Sequence, residues 1–168
     1  MSIQNLSDEE LVNFMQNYRN AGKTEGGKYS LTELYAEELR RKGKSYSGED
    51  VVKKILELSK MSGDGLVTYK QVWSSFCPDR EWKGNSTQNE VANMLFSAIY
   101  YCASLKEKSF PIVTSLVVRQ TSRKADKAAK QNIFDTARNC GIDTGHDVEA
   151  FYKAQMAASC QLARSASV

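Results

Sequence analysis

The stretch from Gly65 to Lys124 constrains the fold of this chain most, because contrasting sequence patterns follow one another within it. A short β-branched run comes first, followed by a short helical pattern, a polar turn and a long helical pattern. A second β-branched run and a basic segment complete the stretch. This order is typical of a helix-turn-helix with one or two small strands attached.

The first half of that stretch has clear boundaries. Residues 66–68 are predicted to form a short strand, and the spacing of apolar residues predicts a helix over 69–76. Thr68 and Gln71 form a capping box, in which each side chain accepts a hydrogen bond from the other residue's backbone amide. Pro78 cannot continue the helix and therefore ends it.

A longer helix is expected from about residue 86. Apolar residues recur at helical spacing from Val91 to Leu105, which predicts the central helix of the core. Pro111 then opens a run of β-branched residues over 112–118, and this composition predicts a second strand.

Two helices are also predicted before this centre. Capping boxes join Ser7 with Glu10 and Ser30 with Glu33, and each precedes an apolar helical stripe. The two helices are close in sequence, so they predict a helical hairpin over residues 1–45.

The predicted fold class is therefore mainly α with a small β-sheet (α+β). It combines the N-terminal hairpin (1–45), a winged-helix-like region (46–124) and a C-terminal helical pair (125–168). The last two helices are expected over about 125–139 and 147–163. The three parts form either separate units or one compact domain.

Cysteine usage favours a reducing compartment. The four cysteines form no C-x-x-C pair, and three of them lie on or beside apolar helical faces, where a free thiol acts as a small hydrophobe. No run of about 18 apolar residues predicts a membrane span. Residues 1–5 do not resemble the start of a secretory signal. We therefore expect a cytoplasmic protein that does not contact a membrane.

Two short motifs resemble ligand-binding loops, but the residues around them do not match the patterns that such loops require. The Gly-Lys-Thr sequence at 22–24 lacks the glycine that a phosphate-binding loop places five residues earlier, where Asn17 stands. Asp64 resembles the middle of a calcium-binding loop, but the first ligand position is Lys60 and the last is Gln71. Both motifs are better explained as turns, and we expect no cofactor and no metal.

His146 is the only histidine of the chain. No nucleophile motif and no zinc-ligand spacing accompanies it. We therefore expect no catalytic residues and a non-enzymatic function. A deep pocket at His146 with a convergent carboxylate would instead favour an enzyme.

Positive charge is concentrated in one segment. The whole chain has a formal net charge of +3, whereas residues 119–138 contain six basic residues against Asp126 and Asp135. In a winged helix, polar residues at the start of the third helix face base edges, and flanking cations bind phosphates. The predicted nucleic-acid-binding residues are Tyr69, Lys83, Asn85, Ser86, Thr87, Gln88, Asn89, Arg119, Arg123, Lys124 and Lys127.

Other interpretations explain the same residues. Ser, Thr and Asn at a helix start are common caps, and nearby carboxylates such as Glu81, Glu90 and Asp126 would oppose phosphate. The alternative is a protein-interaction module or an inhibitor, such as a phage or mobile-element anti-defence protein. One exposed patch containing Trp82, Tyr100 and Tyr101 would favour such a protein partner.

Residues 67–72 (Val-Thr-Tyr-Lys-Gln-Val), the long helix after them and residues 112–118 (Ile-Val-Thr-Ser-Leu-Val-Val) also carry a family resemblance. They resemble the winged-helix DNA-binding domain of alkylguanine-DNA alkyltransferases and alkyltransferase-like proteins over about residues 66–118. Tyr69 matches the tyrosine that begins the second helix of that family. The reactive Pro-Cys-His-Arg of the family is replaced by Val-Thr-Ser-Leu at 113–116, and Asn89 stands near its inserted arginine. The resemblance implies a winged-helix topology without alkyl transfer.

Overall fold

The protein is described by a computed structural model that covers residues 2–23, 25–41 and 47–165, without the side chains at 32, 35, 36, 39, 40, 84–86 and 89. The chain is mainly helical with one small sheet, as predicted. The boundary expected at residue 45 lies outside the described residues. The α-helices are α1 (Asp8–Ala21), α2 (Leu31–Arg41), α3 (Gly48–Met61), α4 (Tyr69–Phe76), α5 (Gly84–Ser104), α6 (Lys127–Asn139) and α7 (Val148–Ser165). Short 3-10 helices span Ile3–Asn5, Lys106–Lys108 and Val113–Leu116.

The helix starts follow the capping residues. Ser7 Oγ accepts a hydrogen bond from the Glu10 amide at 3.1 Å, and the Glu10 carboxylate accepts one from the Ser7 amide at 2.7 Å. Thr68 and Gln71 make the same reciprocal pair at the start of α4. Ser30 and Glu33 make this pair as well. All three predicted capping boxes are confirmed, because they depend only on residues three apart in the sequence.

The sheet consists of β1 (Val67–Thr68) and β2 (Val117–Val118), which run parallel and pair Val67 with Val117. The two strands are far apart in the chain, so a crossover joins them rather than a hairpin. The described residues therefore contain no antiparallel hairpin of the kind that forms the wing of a winged helix.

The strand predicted over 112–118 is wrong for most of its length. Only its last two residues form a strand, and Val113–Leu116 is a 3-10 helix buried against α3, α5 and α7. Side chains of α7 satisfy its backbone: the Ile112 amide donates to Gln155 Oε1, and Tyr152 Oη donates to the Ser115 carbonyl at 2.8 Å. These tertiary hydrogen bonds replace the sheet ladder that the β-branched composition indicates.

The main core surrounds α5. Ile55 of α3, Trp73 of α4, Met94 of α5 and Leu116 of the 3-10 helix are all fully buried there. Since α5 touches α3, α4 and α6, its position fixes the surfaces on which the other helices lie. The long helix thus has the central role predicted from its apolar spacing.

The N-terminal hairpin packs onto this centre. Leu11, Met15, Leu31 and Leu34 form a second cluster that includes Tyr100 and Ala103 of α5 and Cys140 after α6. The Arg41 guanidinium also donates to the Leu6 carbonyl at 2.7 Å, which ties the end of α2 to the N-terminal segment. The described hairpin residues are therefore joined to the centre through a shared core.

Candidate functional site

An open groove of about 560 Å³ lies between α5 and α6. The start of α4 and the end of β2 also line it, so elements that precede and follow α5 in the chain meet there. Small side chains at Ala92 on α5 and at Ala128 and Ala129 on α6 leave the space open.

The interior of the groove is mainly apolar, and its two buried threonines differ, because Thr68 Oγ1 accepts from the Gln71 amide whereas Thr114 Oγ1 is unpartnered. Val91, Ile99, Val117 and Ile133 are buried residues that line it. Thr114 lies among them and is only 5% exposed, and its Oγ1 has no hydrogen-bond partner among the described residues. Buried hydroxyls are normally hydrogen-bonded, so this atom calls for an explanation.

Three of the predicted site residues meet at this groove. Tyr69, Gln88 and Arg119 all line it, although they come from α4, α5 and the segment after β2. Burial raises the pKa of the Tyr69 hydroxyl, and the nearby Asp126 carboxylate raises it further. Arg119 lies at the mouth, where its guanidinium donates to Asp126 Oδ2 at 2.7 Å.

The other predicted site residues lie elsewhere. Thr87 is buried and its hydroxyl donates to the Lys83 carbonyl, which explains it as part of the helix start. Lys83 forms an exposed ion pair with Glu81 at 3.2 Å. The side chains of Asn85, Ser86 and Asn89 lie outside the described part of the structure.

Three exposed lysines that line the groove or adjoin its lining residues in the chain have no carboxylate partner among the described residues. Within the described residues, Lys70, Lys124 and Lys127 make no ion pair, and all three are exposed. Lys70 lines the groove, while Lys124 and Lys127 flank the lining residues Ala125 and Asp126 in the chain. Sequence reasoning missed Lys70, because its only signal is its position beside Tyr69.

Arg123 is committed to a contact inside the protein. Its guanidinium donates to both carboxylate oxygens of Asp64, at 2.6 and 3.0 Å, and to the Leu66 carbonyl. Its backbone has a φ of 55°, in the left-handed region that non-glycine residues seldom adopt. The contact therefore holds the loop between β2 and α6 against the turn before β1.

The Asp64–Arg123 contact makes stability depend on pH. The Arg123 guanidinium, and secondarily the Leu66 amide, hold the pKa of the Asp64 carboxyl well below its ordinary value of 3.8. A carboxyl with a lowered folded-state pKa stabilises the protein above its unfolded-state pKa, and this contribution is lost as the pH falls. We expect D64N to be less stable than the unmodified protein at pH 7, with the difference shrinking below about pH 4.

Urea unfolding of both proteins at several pH values measures this effect. Asp135 provides a matched control, because the hydrogen bond that this exposed carboxyl accepts among the described residues comes from Gln131 of the same helix. D135N should show no comparable pH-dependent difference. A D64N difference that stays constant down to pH 3 would contradict the assignment.

The aromatic residues that would favour a protein partner do not form one exposed patch. Tyr100 is buried, Tyr101 packs edge-on against Phe110, and Trp82 packs against Trp73 with ring centroids 5.6 Å apart. Each of these rings is buried or packs against a neighbouring ring. Among the described residues they offer no shared docking surface.

The remaining candidate groups in the described part of the chain are His146, the metal-ligating side chains and the buried cysteines. His146 is exposed and does not line the groove, and no group of three or more metal-ligating side chains comes together. Burial raises the pKa of the Cys102 and Cys140 thiols to about 12, so neither is a ready nucleophile.

Comparison of the chain with known protein families, curated proteins and solved structures finds no match. None of the described helices combines the length and the apolar character needed to cross a membrane. The fold and the groove therefore define this chain as a mainly helical protein with a concave surface of mixed polarity.

Proposed function

We propose that the protein binds nucleic acid, DNA or RNA, and does not catalyse a reaction on it. The observation that carries this proposal is that Lys70 and Arg119 line one groove, with Lys124 and Lys127 on either side of its lining residues Ala125 and Asp126 in the chain. Cations that neutralise phosphates supply most of the affinity of nucleic-acid-binding proteins.

The lysines are better candidates for phosphate contacts than the arginines. Lys70, Lys124 and Lys127 have no carboxylate partner among the described residues, so a phosphate would meet them without displacing an internal contact. Arg119 would have to exchange Asp126 for a phosphate, and Arg123 holds Asp64. Tyr69 and Gln88 lie close enough to the same mouth to contact sugar or base atoms.

The resemblance to alkyltransferase-like proteins also remains a prediction, as the nucleic-acid-binding function does. It rests on Tyr69 and on the order of the elements around it. The cytoplasmic location is proposed from the free thiols, which are typical of a reducing compartment.

The test is a fluorescence anisotropy titration with labelled duplex DNA, single-stranded DNA and RNA at about 50 and 200 mM salt. We expect micromolar or tighter binding to at least one of them, weakening steeply as salt rises. The K70A/K124A/K127A variant should bind more weakly, and its slope of log affinity against log salt should fall by about 2 to 3 on duplex DNA.

A second triple variant controls for net charge. K53A/K108A/K153A removes three exposed lysines that do not line the groove and changes the net charge by the same amount. It should keep the affinity and the salt slope of the unmodified protein. Equal losses in both variants would overturn the site, and no binding at low salt would overturn the function and favour a protein partner.

A further inference from the structure

We propose that the groove between α5 and α6 is also a binding site for a small aromatic acid that carries a second hydrogen-bonding group. Its volume of about 560 Å³ falls in the range of small-molecule sites, about 300–1,000 Å³. The aromatic body would lie on the apolar walls, the acidic group at the mouth, and the second polar group against Thr114. Nothing in this inference depends on nucleic-acid binding.

The unpartnered hydroxyl of Thr114 is the observation that points to a ligand. It is buried among apolar side chains in the wall of the groove, and no described donor or acceptor reaches it. Leaving such a group without a hydrogen bond lowers the stability of the fold. Rotation of the Thr114 side chain would bring Oγ1 to the groove surface, where a hydrogen bond to a ligand atom would remove this penalty.

The charges at the mouth favour an anion. Lys70 and Arg119 are the cationic residues that line the groove, and Asp126 is the one carboxylate among the described lining residues. Asp126 is already paired with Arg119 and accepts from the Ala129 amide at the start of α6. Lys70 is left to attract the acidic group of a ligand.

The surface around the groove favours a small molecule over a protein segment. Among the described residues, the exposed large hydrophobic side chains are Val12 and Met61, and neither lines the groove. The apolar area is thus confined to the concave interior, whereas a protein docking site would extend onto an exposed apolar rim. The amides of Gln88, Gln120 and Asn132 at the edge are suited to polar atoms of a ligand.

The experiment compares two probes by isothermal titration calorimetry on the full chain. 6-Hydroxy-2-naphthoic acid carries a phenol as the second polar group that the proposal assigns to Thr114, and 2-naphthoic acid lacks it. We expect both to bind and the hydroxylated probe to bind about fivefold more tightly, as one additional hydrogen bond would give. Failure of both probes to bind would overturn the proposal.

Two variants with equal changes in size test the location. Ala92 lines the groove and is exposed, and Ala154 is exposed on α7 away from it. A92F should weaken both probes by at least about tenfold by filling the space, while A154F should leave them unchanged. Neither substitution changes a charge, so this result is independent of the lysine variants. Equal affinities in A92F and A154F would place the probes elsewhere.

The variant T114V tests the hydroxyl itself. Valine has the shape of threonine without the polar atom, so the free variant should show a higher midpoint of thermal unfolding than the unmodified protein. It should also bind the two probes with equal affinity. A lower midpoint, or an unchanged preference for the hydroxylated probe, would contradict the role assigned to Thr114.

Discussion

Replacing Gly48 with alanine should destabilise the protein by about 3 kcal/mol, because a side chain cannot fit where α3 begins. A Cβ at this position would lie 2.9 Å from both the carbonyl carbon of Ser97 and the Cβ of Tyr101, and closer still to the Ser97 carbonyl oxygen. These atoms belong to α5, whose backbone cannot move without disturbing the main core. We therefore expect G48A to push α3 away from α5 and to lower the urea midpoint.

Gly63 provides the matched control for this substitution. It follows the same helix, a Cβ there would meet nothing within 4 Å, and its φ lies outside the left-handed region. G63A should be neutral or more stable by up to about 1 kcal/mol. Urea unfolding compares the two variants when the dependence of the unfolding free energy on urea concentration is the same for both. Similar midpoints for G48A and G63A would contradict the close approach of α3 to α5.

Replacing Glu90 with alanine should cost about 3 kcal/mol of unfolding free energy, because Glu90 completes a buried polar cluster. Glu90 is only 9% exposed. Its carboxylate accepts hydrogen bonds from Trp73 Nε1 at 3.2 Å and from two nitrogens of Arg80 at 2.7 and 2.9 Å. In E90A the indole nitrogen of the fully buried Trp73 loses this acceptor. Arg80 loses the carboxylate but is half exposed and can return to water.

A double-mutant cycle with Arg80 measures the interaction energy of the Glu90–Arg80 pair apart from the other effects of each substitution. R80A leaves the Glu90 carboxylate buried without its cation, so E90A/R80A should cost less than the sum of the two single variants by about 1 to 2 kcal/mol. Glu57 serves as the control, since it forms an exposed pair with Lys54 along α3. E57A should change stability by less than about 0.5 kcal/mol. Additive effects of E90A and R80A would contradict the coupling.

The helices were predictable where local rules decide them. The start of α4 at Tyr69 follows from the Thr68–Gln71 capping box, and its end follows from Pro78. Ser47 caps the start of α3, and Gly22 in the left-handed conformation ends α1. Each of these features depends on residues within one or two turns, so the sequence contains all the information they need.

The segment 112–118 shows where local rules fail. Its β-branched residues favour a strand, but the segment is buried between helices and takes its hydrogen bonds from Tyr152, Gln155 and Ser159 of α7. Those partners are 37 to 47 residues away in the chain. The composition of residues 112–118 does not indicate these partners, because they are distant in the sequence.

The candidate site was only partly predictable for the same reason. Tyr69, Gln88 and Arg119 were expected to act together, and all three line the groove. Arg123 was expected to face a phosphate, but it pairs with Asp64, which is 59 residues away. Charge in a sequence does not reveal whether a side chain is already paired across the fold.

The sequence by itself determined the helical content, the caps and the central position of α5, because hydrophobic period and capping chemistry act over a few residues. Only the tertiary structure decided the parallel pairing of β1 with β2, the burial of Glu90 and the unpartnered hydroxyl of Thr114. These features arise where residues distant in the chain share one packed volume. Their energies depend on the neighbours that the fold brings to each side chain, and no pattern along the chain specifies those neighbours.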